Sequence, residues 1–326
     1  MIACYGALAL ALFQFHFDGM RAEGGAGNAI VFATVTCMAA SISLAGALSR
    51  NGMAALLLFG AYCAGSIAIL YSGSRVTWFA LFLTTAAVLW IYRERRHAWS
   101  SALAVSGAAL AVALVSFAGA QVIPARVAAL AHDWQQMSEH GNYDSSLGRR
   151  AELWEIGLSA VGESPIVGHG PQATRALIND GFEKIGLDVH YTHFHNGFLN
   201  AWVETGILGV LSLAAIFVVA FYLGCGILAV SASPEERLGA AILITLTATY
   251  VIGGLTGILV GHDILDAMLM AYLAVGAYLA AGTSMLPEEA AAPASRQLTI
   301  TSALFRVLTR EILGSPAIPC NPPMLQ

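Results

Sequence analysis

The chain has 326 residues, of which 57% are hydrophobic and only 11% are charged, and its mean hydropathy is +0.70. Soluble domains average about 45–50% apolar residues, so this composition excludes a water-soluble globule and predicts that the fold lies in a lipid bilayer. The net charge of −5 excludes the strong positive field that attracts nucleic acid, and we expect no nucleic-acid partner.

Long apolar runs mark the membrane segments. A bilayer core about 30 Å thick requires about 17–25 apolar residues per helix. Eight runs approach that length, without the alternation of a membrane barrel. They cover residues 2–17, 26–48, 53–70, 76–92, 100–123, 206–230, 238–260 and 264–282. The predicted fold class is all-α: a polytopic transmembrane bundle of about eight helices with one large, mainly helical loop.

Positive residues in short loops predict the orientation, because such residues are retained in the cytoplasm. Arg93, Arg95 and Arg96 form the densest group, and placing it inside also brings Arg50 and Arg237 inside. Both termini are then cytoplasmic. The expected organisation is N-terminal membrane helices over 1–123, a periplasmic loop with the catalytic motifs over 124–205, C-terminal membrane helices over 206–282 and a flexible cytoplasmic tail over 283–326.

The loop contains a helix signal followed by a turn signal. Asp144-Ser145-Ser146 is typical of a helix start. Apolar residues follow at helical spacing and predict the buried face: Leu147, Ala151, Trp154 and Leu158. Arg150 falls on a different face from its neighbour Arg149. Prolines and glycines then crowd the segment 165–171, which predicts a turn of particular backbone shape.

Three histidines stand just before the sixth apolar run, at His190, His193 and His195, with Asn196 following. One interpretation is a metal site, since imidazole binds zinc, although no carboxylate stands at a recognisable ligand spacing. A second is that the histidines simply lie at the polar membrane interface. A third is catalytic: an imidazole accepts and returns a proton near neutral pH, and Asn196 orients it or its substrate.

Arg75 lies between the third and fourth apolar runs, and no acidic residue stands near it in the sequence. A guanidinium beside apolar segments is costly unless it is paired or hydrated. It therefore either reaches towards lipid head groups or binds an anionic ligand. Its planar fork suits phosphate oxygens. Arg150 is a natural second partner if the loop folds back over the helices.

Four stretches together resemble the O-antigen ligase and polymerase superfamily of bacterial inner-membrane enzymes. They are Ser74-Arg75, Arg150 with Trp154, Pro165 with Gly168-His169-Gly170-Pro171, and His193-Phe194-His195-Asn196 leading to Glu204-Thr205-Gly206. The resemblance implies a membrane glycosyltransferase that takes a glycan from an undecaprenyl diphosphate carrier. It also implies an acceptor such as lipid A-core, a loop that caps a cavity open to lipid, and no metal or other cofactor.

The resemblance also implies roles for single residues. His195 corresponds to the catalytic histidine, while Arg75 and Arg150 correspond to catalytic arginines that hold the diphosphate. Three further residues fill substrate-binding positions: Asn196, His193 and Glu204. Members of the superfamily usually have more crossings, so we expect that amino-terminal helices are absent here.

Other functions stay open at this point. Within the superfamily, the same framework serves ligation to lipid A-core and polymerisation of repeat units. A membrane transporter would use Arg75 as an anion site and would need broken helices, for which Gly253-Gly254 with Gly257 is the candidate. Those glycines are more simply a close helix-packing face. A non-catalytic membrane scaffold is the third class, and it would tolerate replacement of His195.

Overall fold

The computed structural model describes residues 1–93, 102–184, 191–230 and 233–281. Within these ranges the chain forms ten helices and no strands. The helices are α1 (Ile2–His16), α2 (Ala29–Ser49), α3 (Gly52–Tyr71), α4 (Arg75–Ile91), α5 (Ala102–His140), α6 (Ser146–Glu163), α7 (Ala173–Lys184), α8 (Gly197–Val230), α9 (Pro234–Gly254) and α10 (Asp263–Ala281). The expected tail, together with Arg95, Arg96 and His190, lies outside the described residues.

The predicted fold class is confirmed as an all-helical, polytopic membrane protein. Five of the described helices, α2, α3, α8, α9 and α10, are long and apolar enough to cross a membrane, and α1 and α4 are shorter apolar helices. Each of the eight predicted apolar runs corresponds to a helix. The two others, α6 and α7, lie in the segment expected to form the external loop.

Successive apolar helices run antiparallel, so their ends alternate between the two ends of the bundle. The carboxyl ends of α1, α3, α5 and α9 meet the amino ends of α2, α4, α8 and α10 at one end, which we call the site end. Three contacts tie it together: Ala22 N–H donates to the Tyr71 carbonyl at 3.1 Å, Tyr71 Oη donates to Gln121 Oε1 at 3.1 Å, and Gly257 packs on Ile30. Helices α6 and α7 pack at this end against α8.

The centre of the bundle is formed by α2 and α9. In each of them 72% of the apolar span is buried, against 17% in α8 and 22% in α10. Buried hydroxyls in these central helices bond to their own backbone: Thr36 donates to the Phe32 carbonyl at 2.7 Å, and Thr245 donates to the Ala241 carbonyl at 2.7 Å. The hydroxyls of these two threonines are therefore hydrogen-bonded. Small side chains can then line the core and let the helices pack closely.

Two helices extend beyond the apolar runs that predicted them. Helix α5 passes through Pro124, where the loop was expected to begin, and ends at His140. Helix α8 begins at Gly197 rather than at residue 206, and Gly206 forms a kink inside it with φ 66° and ψ −170°. Hydropathy marks only the lipid-compatible part of a helix, whereas polar residues with good helix propensity continue it into water.

The predicted buried face of α6 is wrong. Trp154 is 36% exposed and Leu158 is 60% exposed, whereas Leu153 is fully buried. The reason is Gly157, which lets α6 approach α8 so closely that a Cβ there would lie 2.8 Å from the side chain of Leu199. The face of α6 that contacts α8 is set by this close approach of the two helices. A hydropathy pattern therefore does not identify the buried face of α6.

Candidate functional site

The turn after α6 is locked onto the kink of α8. Gly168 has φ 71°, and a Cβ at that position would lie 2.6 Å from the backbone of Glu204. At Gly206, a Cβ would collide with the carbonyl of Ile166. Three backbone hydrogen bonds join the two segments: His169 N–H donates to the Val203 carbonyl at 2.8 Å, Gly170 N–H to the Glu204 carbonyl at 3.0 Å, and Ile207 N–H to the Pro165 carbonyl at 3.0 Å. Glycine is therefore required on both sides of this joint.

The joint fixes the direction in which α8 begins, and α8 in turn positions the histidines before it. The Asn196 side chain caps the helix, because its Oδ1 accepts hydrogen bonds from Phe198 N–H and Leu199 N–H, both at 3.1 Å. His195 has a left-handed φ of 50°, which is uncommon for a residue with a side chain. The chain therefore turns sharply at His195, immediately before a capped helix.

His195 lies in a cluster of rings. Its centroid is 4.3 Å from that of His193 and 5.7 Å from that of Tyr191, which meets it edge-on. Thr192 Oγ1 lies 3.0 Å from His193 Nδ1. The Nδ1 atom of His195 is buried and has no hydrogen-bond partner among the described residues.

Both imidazoles are held in the neutral form. Burial, followed by the electrostatic effects of His193 and Arg150, lowers the pKa of His195 to about 4. Burial, followed by His262 and Arg150, also lowers the pKa of His193. A narrow cavity of about 20 Å³ bordering both rings is lined mainly by apolar residues, which explains the poor solvation of a charged imidazole. At neutral pH His195 is consequently able to accept a proton.

A cleft of about 290 Å³ opens beside His195. Three parts of the chain line it: the α1–α2 loop and start of α2 (Arg21, Glu23, Gly27, Asn28, Ala29, Ile30), the start of α6 (Ser146, Arg149, Arg150) and the segment before α8 (Tyr191, His195). The cleft is therefore built by segments that are far apart in sequence. Its size suits a charged group of a ligand more than an entire glycan.

Four arginines from four different elements surround this region. They are Arg21 in the α1–α2 loop, Arg75 at the start of α4, Arg126 in α5 and Arg150 in α6. Burial, and then the positive charges of the other three with Arg126 foremost, lowers the pKa of Arg21 to about 10, although Glu23 opposes this. Burial and Arg75 lower the pKa of Arg150. The guanidinium groups thus repel one another.

Backbone carbonyls, and not carboxylates, accept hydrogen bonds from two of these arginines. Arg75 Nη1 donates to the Arg126 carbonyl at 3.0 Å, and Arg21 Nε donates to the Ser72 carbonyl at 2.9 Å. Among the described residues, none of the four arginines forms a salt bridge, whereas Arg149 pairs with Asp144 at 2.9 Å and with Glu152 at 3.3 Å. Positive charge is therefore concentrated here, and Glu23 is the carboxylate in the cleft that opposes it at Arg21.

The predicted site residues fall into two groups. His193, His195, Arg150 and Arg75 lie within electrostatic reach of one another, since Arg150 acts on both histidines and Arg75 acts on Arg150. Asn196 and Glu204 make structural contacts. Asn196 caps α8, and Glu204 Oε1 accepts a hydrogen bond from Thr174 Oγ1 of α7 at 2.8 Å. Neither of these two side chains lines the cleft.

Two arginines of the cluster were missed as site residues in the sequence. Arg21 stands in the loop between the first two apolar runs, and Arg126 stands at the polar end of the fifth. Arg126 covers Gly73, where a Cβ would lie 2.5 Å from Arg126 Nε, and its Nη2 is buried without a hydrogen-bond partner among the described residues. The available signal was the one that identified Arg75: an arginine at the end of an apolar run.

A metal-binding group does not occur in the described ranges. No three His, Cys, Asp or Glu side chains within residues 1–93, 102–184, 191–230 and 233–281 are arranged to hold an ion. His190, the third histidine of the metal interpretation, lies outside those ranges.

Comparison with known proteins identifies one family and two relatives. A family model described as O-antigen ligase matches residues 60–214, the segment that contains every predicted site residue. The chain is 37% identical over 84 residues to the exopolysaccharide production protein ExoQ of Rhizobium meliloti (strain 1021), covering 24% of this chain and 19% of that protein.

The second relative is an uncharacterized protein of Haemophilus influenzae (strain ATCC 51907 / DSM 11121 / KW20 / Rd). Identity to it is 27% over 158 residues, covering 44% of this chain and 37% of that protein. The chain thus spans less than two fifths of the length of either relative. Arg21 lies outside the segment matched by the family model.

Proposed function

We propose that this chain transfers a glycan from a lipid diphosphate carrier to an acceptor hydroxyl, and the match of residues 60–214 to the O-antigen ligase family model supports this. The donor is a glycan on undecaprenyl diphosphate, and the acceptor is lipid A-core. The reaction takes place at the periplasmic face of the bacterial inner membrane. One observation carries the proposal: a neutral, half-buried His195 shares a cleft with Arg150 and lies in the same cationic cluster as Arg75.

His195 acts as the general base. Its Nδ1 is buried, so Nε2 is the nitrogen available to a ligand in the cleft. The acceptor oxygen forms a bond to the anomeric carbon of the donor sugar while its proton passes to the imidazole. Because the pKa of His195 is low, the imidazole is unprotonated before the reaction. The same low pKa makes His195 a modest proton acceptor. Its position beside the reacting hydroxyl therefore matters more than its basicity.

The arginines stabilise the leaving group. As the bond between the anomeric carbon and the phosphate oxygen breaks, both electrons stay with the lipid diphosphate. Arg75 and Arg150 neutralise that charge, and their guanidinium forks match the phosphate oxygens. Arg126 supports this pair, because its carbonyl holds Arg75 and its own Nη2 has no described partner.

Polymerisation of repeat units is the second candidate. It uses the same donor and the same chemistry, but the acceptor is the end sugar of another lipid-linked chain. The similarity to ExoQ, a protein named for exopolysaccharide production, favours it. Surface glycan from a deletion strain separates the two: unlinked full-length chains indicate lost ligation, whereas single repeat units on lipid A indicate lost polymerisation.

A transfer assay tests the chemistry. Full-length chain in lipid nanodiscs is supplied with lipid-linked glycan and lipid A-core, and ligated product is measured. His195→Ala should lose about a hundredfold or more in rate, as expected for a general base, and Arg75→Ala should lose activity as well. Arg50→Gln is the matched control, since Arg50 is exposed after the end of α2 and does not line the cleft.

Product at the wild-type level from His195→Ala would remove that residue from the mechanism and would favour a scaffold. Transport of the lipid-linked glycan without any ligated or polymerised product would favour a carrier instead.

A further inference from the structure

The α1–α2 loop is built as a fixed wall of the cleft. Gln14, near the end of α1, accepts hydrogen bonds at its Oε1 from Glu23 N–H and Gly24 N–H, both at 2.9 Å. Its Nε2 donates to the Gly24 carbonyl at 3.2 Å. Ala22 is fully buried, and its N–H donates to the Tyr71 carbonyl at 3.1 Å. Four hydrogen bonds from two helices thus hold the residues on the carboxyl side of Arg21.

Arg21 projects from this loop into the region of the other arginines. Its Nε donates a hydrogen bond to the Ser72 carbonyl at 2.9 Å, and this bond directs the guanidinium towards the start of α4. It lines the cleft together with Arg150 and His195, and it is exposed. None of the described contacts involves the two terminal Nη atoms of Arg21. Both are therefore available to donate hydrogen bonds to two oxygens of one anion.

The positive charge of the four arginines also favours the binding of an anion. Four guanidinium groups face one another, and Glu23 is the one carboxylate that opposes them at Arg21 among the described residues. A diphosphate diester carries two negative charges, one on each phosphate. Such a ligand relieves the repulsion among the arginines, and a guanidinium already fixed by a backbone carbonyl loses little conformational freedom when it binds.

We propose that Arg21 is a further ligand of the lipid-linked diphosphate, so that the α1–α2 loop completes a site whose other residues lie within the matched O-antigen ligase segment. This inference rests on the proposed function, because it assumes the diphosphate donor. It makes Gln14 a positioning residue, since Gln14 orders the loop but does not line the cleft. Helix α1 then contributes to substrate binding as well as to the bundle.

Direct binding of undecaprenyl diphosphate to the full chain in nanodiscs of neutral lipid tests the proposal. Arg21→Gln should weaken binding about ten- to a hundredfold, the expected loss of a charge-assisted hydrogen-bonded contact. Arg21→Lys should recover part of that loss, because it keeps the charge but lacks the planar fork. Gln14→Leu should weaken binding less than Arg21→Gln while leaving thermal unfolding nearly unchanged. Arg50→Gln, remote from the cleft, is again the control.

Three results would overturn the proposal: unchanged diphosphate binding by Arg21→Gln, an equal loss in Arg50→Gln, or a loss confined to lipid A-core binding. The last result would assign Arg21 to the acceptor. The experiment also separates this inference from the proposed function. If the chain is not a transferase, wild-type protein forms no product but Arg21→Gln still loses diphosphate binding. If only the inference fails, Arg21→Gln transfers glycan with wild-type affinity for the donor.

Discussion

His193 and His195 stand side by side, with ring centroids 4.3 Å apart and ring planes inclined by 57°. Two imidazoles this close do not both carry a proton readily, because the second charge would be added next to the first in a poorly solvated site. His193 is therefore more than a neighbour of the proposed base. It helps to keep His195 unprotonated.

The pH dependence of transfer follows from this pair. Since the pKa of His195 lies at about 4, the wild-type kcat/KM should stay flat from neutral pH downwards and fall only near that value. In His193→Gln the neighbouring charge is gone, so the pKa of His195 rises and the acid limb moves to higher pH. Burial and Arg150 still act on His195, so the limb should stay below pH ~6.5. The profile is measured as product formed at limiting donor concentration.

His132→Gln serves as the control for that profile, because His132 is exposed on α5, away from the cleft. An acid limb that does not move in His193→Gln would show that the limb belongs to another group, and His195 would lose its assignment as the base.

The glycine joint predicts a stability effect. Gly168→Ala and Gly206→Ala should each lower the free energy of unfolding by about 1–3 kcal/mol, because a Cβ collides with backbone and both positions have positive φ. Thermal unfolding in detergent measures the loss. Gly162→Ala is the matched control in α6, where a Cβ meets nothing within 4 Å, and it should leave stability unchanged or slightly higher. Equal melting temperatures for all three variants would contradict the requirement for glycine at positions 168 and 206.

Glu204 is predicted from the resemblance to bind substrate, and its contact with Thr174 allows a sharper test. If the carboxylate mainly anchors α7, Thr174→Val and Glu204→Ala should each destabilise by about 1 kcal/mol, and the double variant should lose little more than either one alone. Glu204→Gln keeps an acceptor oxygen and should retain most activity. A large drop in kcat/KM in Glu204→Gln with unchanged stability would instead place the carboxylate at the substrate.

Arg126 should contribute to donor affinity. Arg126→Lys keeps the backbone carbonyl that holds Arg75, so any effect arises from its own side chain. Replacing the planar fork by an ammonium should raise KM for the lipid-linked donor about three- to tenfold, with a smaller effect on the KM for the acceptor. Initial rates at varied donor concentration measure it. An unchanged donor KM would leave Arg126 as a purely structural support for Arg75.

Some features of the site could be predicted from residue type and local context. Arg75 was identified because an arginine beside two apolar runs needs a partner, and His195 because imidazole chemistry and the family motif coincide. Asn196 shows where this reasoning stops. The same motif position that suggested a substrate contact is used as the cap of α8, with both hydrogen bonds at 3.1 Å.

The solvent of the fold and the local structure of the chain follow from residue order alone. Apolar runs of bilayer length, glycines at turns and an arginine without a nearby acid act through their own neighbours, so they can be recognised one segment at a time. The tertiary structure alone decided which segments share the cleft. Arg21, Arg126 and Arg150 come from three distant parts of the chain, and helix packing brings their charges together. The face of α6 was likewise set by Gly157, whose missing side chain permits a contact that no hydropathy pattern reveals.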